Sequence, residues 1–185
     1  EIRIDGTPIH TFSRNSIKQQ IVMVPQEAVL FRTTVRENIG IGRPNEVLSD
    51  EQIRDAAKKA NAHDFILELP EGYDTVLRTS NTQLSGGEMK RILLARAFLR
   101  DAAIVLLDEP TDSLDPASES QVMEAFDRLS HQKTLIVASH QLRVVANADT
   151  ILVLRSGRLV EQGTHDELLE KNGIYAGFWH EQMDI

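Results

Sequence analysis

An amide, a pair of carboxylates and an imidazole stand close behind three short apolar runs, a set able to hold a cation, accept a proton and contact an anion. Gln26 follows Ile21-Val-Met-Val-Pro25, Asp108-Glu109 follows Ala102-Ala-Ile-Val-Leu-Leu107, and His140 follows Thr134-Leu-Ile-Val-Ala138. In open α/β sheets ligands bind outside the carboxyl ends of the strands, so these side chains are expected to gather at one edge. Two adjacent carboxylates at the end of a buried run are costly unless a cation or polar partner is near, which singles out Asp108-Glu109. Gln26 and His140 carry less weight alone, since a glutamine there suits a plain loop and a lone histidine suits a structural hydrogen bond.

Leu84-Ser-Gly-Gly-Glu88 opens a helix running to about Leu99. Ser85 and Glu88 have the spacing of a capping box, the serine serving the third helical N–H and the glutamate reaching back. That leaves Gly86 and Gly87 unexplained, because glycine costs helix stability. Two glycines at the positive end of a helix let a large anion approach free N–H groups, as phosphate does. Capping and phosphate binding are compatible, and both are expected of this segment.

The elements that must position these groups follow from pattern. Glu1-Ile-Arg-Ile-Asp-Gly6 alternates apolar and polar residues, as a half-buried strand does, and ends in a turn. Residues 34 to 100 read as helical. Ser49 and Gln52 form a capping box for a helix with Ile53, Ala56, Ala57 and Ala60 on one face. Pro70, Gly72 and Arg78-Thr-Ser-Asn-Thr-Gln83 mark loops. The runs at 102–107 and 134–138 are nearly continuous, as in parallel strands covered on both faces. Between them a helix opens at Pro116 and buries Val122, Phe126 and Leu129, completing a βαβ unit. Ile151-Leu-Val-Leu154 and Arg158-Leu-Val160 form a hairpin turning at Ser156-Gly157, and Thr164 and Glu167 cap a last helix before the segment around Trp179.

With 185 residues, 41% of them hydrophobic, there is material for one domain with a core. The net charge of -8 and the absence of a Lys/Arg cluster give no footprint for nucleic acid. No run reaches the ~18 apolar residues of a membrane span, and the opening residues read as a strand, not as a signal peptide. The absence of cysteine excludes disulfides, thiolate metal sites and a cysteine nucleophile, and fits a reducing cytosolic face.

Five segments, in order, resemble the Q-loop, signature, Walker B, D-loop and H-loop of ATP-binding-cassette ATPases: Val24-Pro-Gln26, Leu84-Ser-Gly-Gly-Glu88, Ile104-Val-Leu-Leu-Asp-Glu-Pro110, Ser113-Leu-Asp115 and Ala138-Ser-His140. The resemblance covers essentially the whole chain, and five motifs in register are very specific. Val29-Leu-Phe31, Arg36-Glu-Asn-Ile39 and the stretch Gly157 to Leu168 look like exporter-type cassettes, whose ATPase domain is usually fused behind a membrane domain.

The resemblance implies an α/β fold: a P-loop NTPase (RecA-like) core with an α-helical insert subdomain. Residues 1–26 would end a β subdomain and the Q-loop strand, 27–98 would be the helical subdomain, and 99–185 the rest of the core with its C-terminal helices. It implies ATP and Mg²⁺ as substrate and cofactor, with Asp108 holding Mg²⁺ through water and Gln26 helping to bind it and sensing the membrane domain. Glu109 would be the general base on the attacking water, and His140 would contact the γ-phosphate. Ser85, Gly86 and Gly87, with Glu88 in place of the commoner glutamine, would complete the site of a partner cassette, and Asp115 would tie the two sites together. The implied partners are a second ATPase domain, head to tail, and a transmembrane domain, with no nucleic acid. The implied place is the cytoplasmic face of a membrane.

Two departures from the family pattern shape further expectations. The sequence holds no G-x-x-x-x-G-K-[ST] and no Gly-Lys pair. The N-terminal part of the core is therefore expected to be missing, leaving a fragment inactive alone, and the strand feeding the absent loop is expected beside 102–107. Arg78-Thr-Ser-Asn81 replaces the acidic, Gly-flanked stretch that meets the membrane domain in exporters. The alternative reading is a soluble cassette ATPase or a non-catalytic regulatory remnant.

Overall fold

The structure, a computed structural model, describes residues 1–77, 84–131 and 133–183. The replacement at 78–81 lies outside them. Chain contacts divide the protein into two compact units, Glu1–Ala138 and Ser139–Ile185.

The first unit opens with a small antiparallel ribbon, β1 (Arg3–Ile4) and β2 (Thr7–Pro8). The strand expected over 1–6 stops after Ile4, because Asp5 and Gly6 turn the chain at positive φ (48° and 77°). Helix α1 (Arg14–Gln20), capped by Ser13, leads into β3 (Ile21–Val24). A helical segment follows: α2 (Val35–Gly40), α3 (Asp50–Lys59), α4 (His63–Glu68) and α5 (Gly86–Arg100). Then come β4 (Ile104–Asp108), α6 (Pro116–Ser130) and β5 (Thr134–Ala138), the βαβ unit read from the sequence.

The three longer strands form one parallel sheet in the order β3-β4-β5, with Val22 opposite Val105 and Val105 opposite Leu135. Two expectations are corrected by this order. The strand β4 is paired on both sides, so the open edges among the described residues belong to β3 and β5, not to β4. Among the described residues the sheet is also buried on one face only. Val24, Val105 and Leu107 are buried with Val22, Leu135 and Val137 packed beside them, whereas Met23 and Ile136, on the alternate positions, are each 55% exposed. Side chains alternate between faces along a strand, and an apolar run does not reveal that its second face is bare.

Helix α5 is the spine of this unit, packing against α2, α3, α6 and β3. Ile92, Leu93, Leu94, Ala95, Ala97 and Leu99 are all buried, as expected of a helix enclosed on most sides. The capping box of Ser49 and Gln52 forms, and Ile53, Ala56 and Ala57 of α3 face α5.

The second unit comprises α7 (Leu142–Val145), the hairpin β6 (Ile151–Arg155) and β7 (Arg158–Gly163), α8 (His165–Glu170) and α9 (Ile174–Met183). The hairpin turns at Ser156-Gly157, both at positive φ (52° and 73°), the geometry that two-residue hairpin loops favour. Thr164 and Glu167 form their capping box. Leu142, Ile151, Leu168 and Tyr175 make a small core beside Trp179.

Candidate functional site

The carboxyl end of β4 carries the carboxylate pair. Asp108 closes the strand, and the Glu109 N–H donates to the Ala138 carbonyl at 2.9 Å, extending the pairing with β5 one residue past the end of β4. Glu109 has φ of 41°. A non-glycine residue held there costs on the order of 1–3 kcal/mol and such strain clusters at functional sites. Ser113, four residues on, also has positive φ (60°). The tight loop between them turns back on itself, with the Asp112 N–H donating to the Glu109 carbonyl at 3.3 Å.

The segment behind β3 meets this loop. Gln26 Nε2 donates to Asp112 Oδ2 at 3.3 Å. From beneath, Lys90 of α5 donates from Nζ to the carbonyls of Pro25 (3.4 Å), Gln26 and Glu109 (3.4 Å). Burial pushes the Lys90 pKa down, an effect opposed by the nearby charges of Asp112, Asp108 and Glu109. Neither Lys90 nor Asp112 is among the residues picked from the sequence. Lys90 had a visible signal: it shares a helical stripe with the buried Leu93, Leu94 and Ala97, where a charge is out of place.

At the start of α5, Ser85 Oγ accepts from the Glu88 N–H at 3.2 Å while Glu88 Oε2 accepts from the Ser85 N–H at 2.7 Å. The capping box is therefore real. The two glycines differ. A Cβ on Gly86 would meet only Leu114 Cδ2, at an ordinary 3.6 Å, whereas a Cβ on Gly87 would collide with the Ser118 side chain of α6. Gly87 thus has a steric reason that the sequence did not reveal, the close approach of α5 to α6. Ser85 and Gly86 remain exposed at the helix start.

Asp115 caps α6, accepting from Ala117 and Ser118 N–H groups at 3.1 and 3.0 Å, with Pro116 at the first helical position. Hydrogen bonding, led by the Ser118 side chain, holds its carboxyl below the usual carboxylate range. His140 belongs to the second unit. Its carbonyl accepts from Gln182 Nε2 of α9 at 2.6 Å, and Gln182 Oε1 accepts from the Leu142 N–H at 2.9 Å. The structure therefore gathers Gln26, Asp108 and Glu109 at the carboxyl end of the sheet and places Ser85 to Glu88 one turn upstream of Lys90 on α5. Asp115 lies beside the α5–α6 crossing.

Among the described residues no group of three or more His, Cys, Asp or Glu side chains could hold a metal ion. The donors present at this end of the sheet, an Asp108 carboxylate and the Gln26 amide oxygen, suit Mg²⁺. That ion takes oxygen ligands, often one or two from protein, and keeps several waters.

Beside the Gln26 segment lies a groove lined by Lys18, Met23, Pro25, Val29, Phe31 and Ile41, among others. Its floor is organised by Arg96, which donates to the carbonyls of Asn38 (2.6 Å) and Val29 (2.9 Å) and stands 5.7 Å over the Phe31 ring. Burial lowers the Arg96 pKa to about 10. Among the described residues no helix is long and apolar enough to cross a membrane.

The family model described as ABC transporter matches residues 1–112. Over 182 residues the chain is 45% identical to the ATP-dependent lipid A-core flippase of Saccharophagus degradans, covering 98% of this chain and 31% of that protein. It is 46% identical over 175 residues to a putative multidrug export ATP-binding/permease protein of Staphylococcus aureus, covering 95% and 30%. A solved bacterial Atm1-family ABC exporter with ATP bound superposes with a TM-score of 0.90 at 39% identity, covering 98% of this chain and 32% of that one. The chain thus spans about a third of the length of these relatives.

Proposed function

Because the chain belongs to the ABC transporter family and has its P-loop NTPase fold, we propose that it works as the ATP-hydrolysing domain of an exporter. The observation that carries this is the meeting of two segments at the carboxyl end of the sheet, where Gln26 reaches Asp112 in the loop that carries Glu109. Phosphoryl transfer to water asks little covalent chemistry of a protein and much positioning. In this assignment Asp108 and Gln26 hold Mg²⁺, which when bound supplies positive charge against the phosphates. Glu109 takes the proton from the attacking water, its backbone held by the strained turn after β4. His140 contacts the γ-phosphate.

Ser85, Gly86, Gly87 and Glu88 are assigned to the nucleotide of a second cassette arranged head to tail, and Asp115 to the tie between the two sites. An exposed helix start with a glycine that meets no steric demand at 86 supports this. The transmembrane partner is assigned to the groove at Pro25, Val29 and Phe31, which adjoins Gln26 and offers exposed apolar side chains. The site of action is then the cytoplasmic face of a membrane. The division into 1–26, 27–98 and 99–185 belongs to the same assignment.

The sequence holds no G-x-x-x-x-G-K-[ST], so the N–H nest and lysine that cradle the β- and γ-phosphates must come from outside these residues. We expect this chain alone to be inactive. The test is steady-state ATPase activity of the purified full-length protein containing this chain, with and without Mg²⁺, together with its fractionation. Magnesium-dependent turnover in the membrane fraction is expected. Turnover in a protein that stays out of membranes would favour a soluble cassette ATPase, and no turnover would sink the hydrolase assignment.

A further inference from the structure

Lys90 is only 5% exposed, on a helix stripe otherwise built of apolar side chains. An ammonium ion removed from water is costly unless its hydrogen-bonding capacity is met. Among the described residues it is met by backbone carbonyls and not by a salt bridge: Pro25 and Glu109 at 3.4 Å each, and Gln26. Those three carbonyls come from two segments far apart in sequence, one carrying Gln26 and the other carrying Glu109. An ammonium has three donors on one atom, so it can serve three converging carbonyls at once, which a planar amide cannot.

We propose that Lys90 is a positioning residue for hydrolysis: it clasps the Gln26 segment to the Glu109 turn and joins both to the helix that Ser85 begins. The proposal rests on the exporter ATPase assignment above and adds a device to it. The start of α5 is where the nucleotide of a second cassette would sit, and Lys90 lies one turn below it. A shift of that helix end is therefore passed through one side chain to the Mg²⁺-holding amide and to the general base together. Glu109 needs this support more than most residues, since its positive φ is not a conformation that its side chain favours.

The experiment uses the full-length protein with Lys90→Met, which keeps an unbranched chain but has no donor, and Lys90→Gln, which keeps two. Loss of registration at a catalytic centre is expected to lower kcat while leaving ground-state binding in place. Lys90→Met should lose about 10- to 100-fold in kcat with KM for Mg-ATP within about threefold. Lys90→Gln should lose about three- to tenfold. Amide exchange, read separately, should quicken at 26–28 and 109–112 in Lys90→Met while protection across Leu94–Ala97 is unchanged. A kcat within about twofold of wild type, equal losses in both variants, or a raised KM at constant kcat would overturn the proposal. Should Lys90→Met not fold, Lys90→Gln decides on the same kcat and exchange criteria. If the wild-type protein shows no turnover, the ATPase assignment falls, and exchange at 26–28 and 109–112 alone decides whether Lys90 is the clasp.

Discussion

Gly87 of α5 lies so close to Ser118 of α6 that a Cβ on the glycine would overlap the serine side chain. The first two residues of the same helix turn thus answer to different demands. Gly87→Ala should destabilise the protein by about 1–3 kcal/mol through overpacking, and Ser118→Gly in the same chain should restore part of that loss. Gly86→Asp should fold normally, because a carboxylate suits a helix start, yet weaken ATP-driven dimerisation of the full-length protein by repelling phosphate. Thermal unfolding and sizing with and without ATP check the pair. Unchanged dimerisation in Gly86→Asp would leave Ser85 and Glu88 with capping as their whole purpose.

Glu109→Gln should keep Mg-ATP binding while turnover falls by about 10²- to 10⁴-fold. Glutamine preserves the shape and the backbone bond to Ala138 but accepts no proton from water. Single-turnover hydrolysis beside equilibrium nucleotide binding measures both halves. Turnover close to wild type would remove Glu109 from the base assignment.

Ser85→Ala deletes the acceptor for the Glu88 N–H and should cost about 0.5–2 kcal/mol in stability. Denaturant unfolding reads this, and a change in midpoint without a change in slope identifies it as a loss of native-state stability. An undiminished midpoint would mean that Glu88 alone caps α5.

Asp101 ends α5 in the left-handed region (φ 55°) and accepts from Lys133 Nζ at 2.8 Å. That hydrogen bond, ahead of the charge itself, holds the Asp101 carboxyl below its ordinary range. A depressed carboxyl pKa contributes stability that is present above the unfolded value and lost as pH falls through the folded one. Asp101→Asn tolerates the same backbone and keeps an acceptor without the charge. Its deficit should be under about 1 kcal/mol near neutrality, since the carboxylate is largely exposed, and should vanish in acid below the folded pKa. Unfolding curves at both pH values check it, and a deficit that persists in acid would assign the effect to the cap.

Much of this architecture was legible because it is local. The boxes at Ser49, Ser85 and Thr164, the proline that starts α6 and the Ser156-Gly157 hairpin all rest on spacings of a few residues. So did the runs that became β4 and β5. What escaped depends on partners distant in the chain. Lys90 is defined by carbonyls at 25, 26 and 109, and Gly87 by a serine on another helix. The bare face at Met23 and Ile136 depends on what does not pack there among the described residues, and the strand order depends on which neighbours β4 chooses.

That bare face bears on the isolated 185-residue chain. With the phosphate loop absent from its sequence and both Met23 and Ile136 open to solvent, the chain should bind Mg-ATP very weakly and self-associate. The edges of β3 and β5, open among the described residues, add unpaired N–H and C=O groups to the same hazard. Calorimetric titration and light scattering measure these, and a soluble monomer with tight Mg-ATP binding would contradict both.

The crossover between β3 and β4 runs from 25 to 103, while that between β4 and β5 runs only from 109 to 133. Closing a flexible loop costs about 0.6 kcal/mol for each doubling of its length, so a crossover roughly three times longer is dearer by only about 1 kcal/mol in chain entropy. A whole packed layer of helices therefore hangs between two paired strands at almost no cost to the sheet. The crossover's length is then free to drift, by insertion or deletion at its loops, while the register of Val22 on Val105 holds. Change should collect in the connection around 43–48 and spare the strand ends, so a peptide tag spliced at the exposed Asn45 is expected to leave the sheet intact.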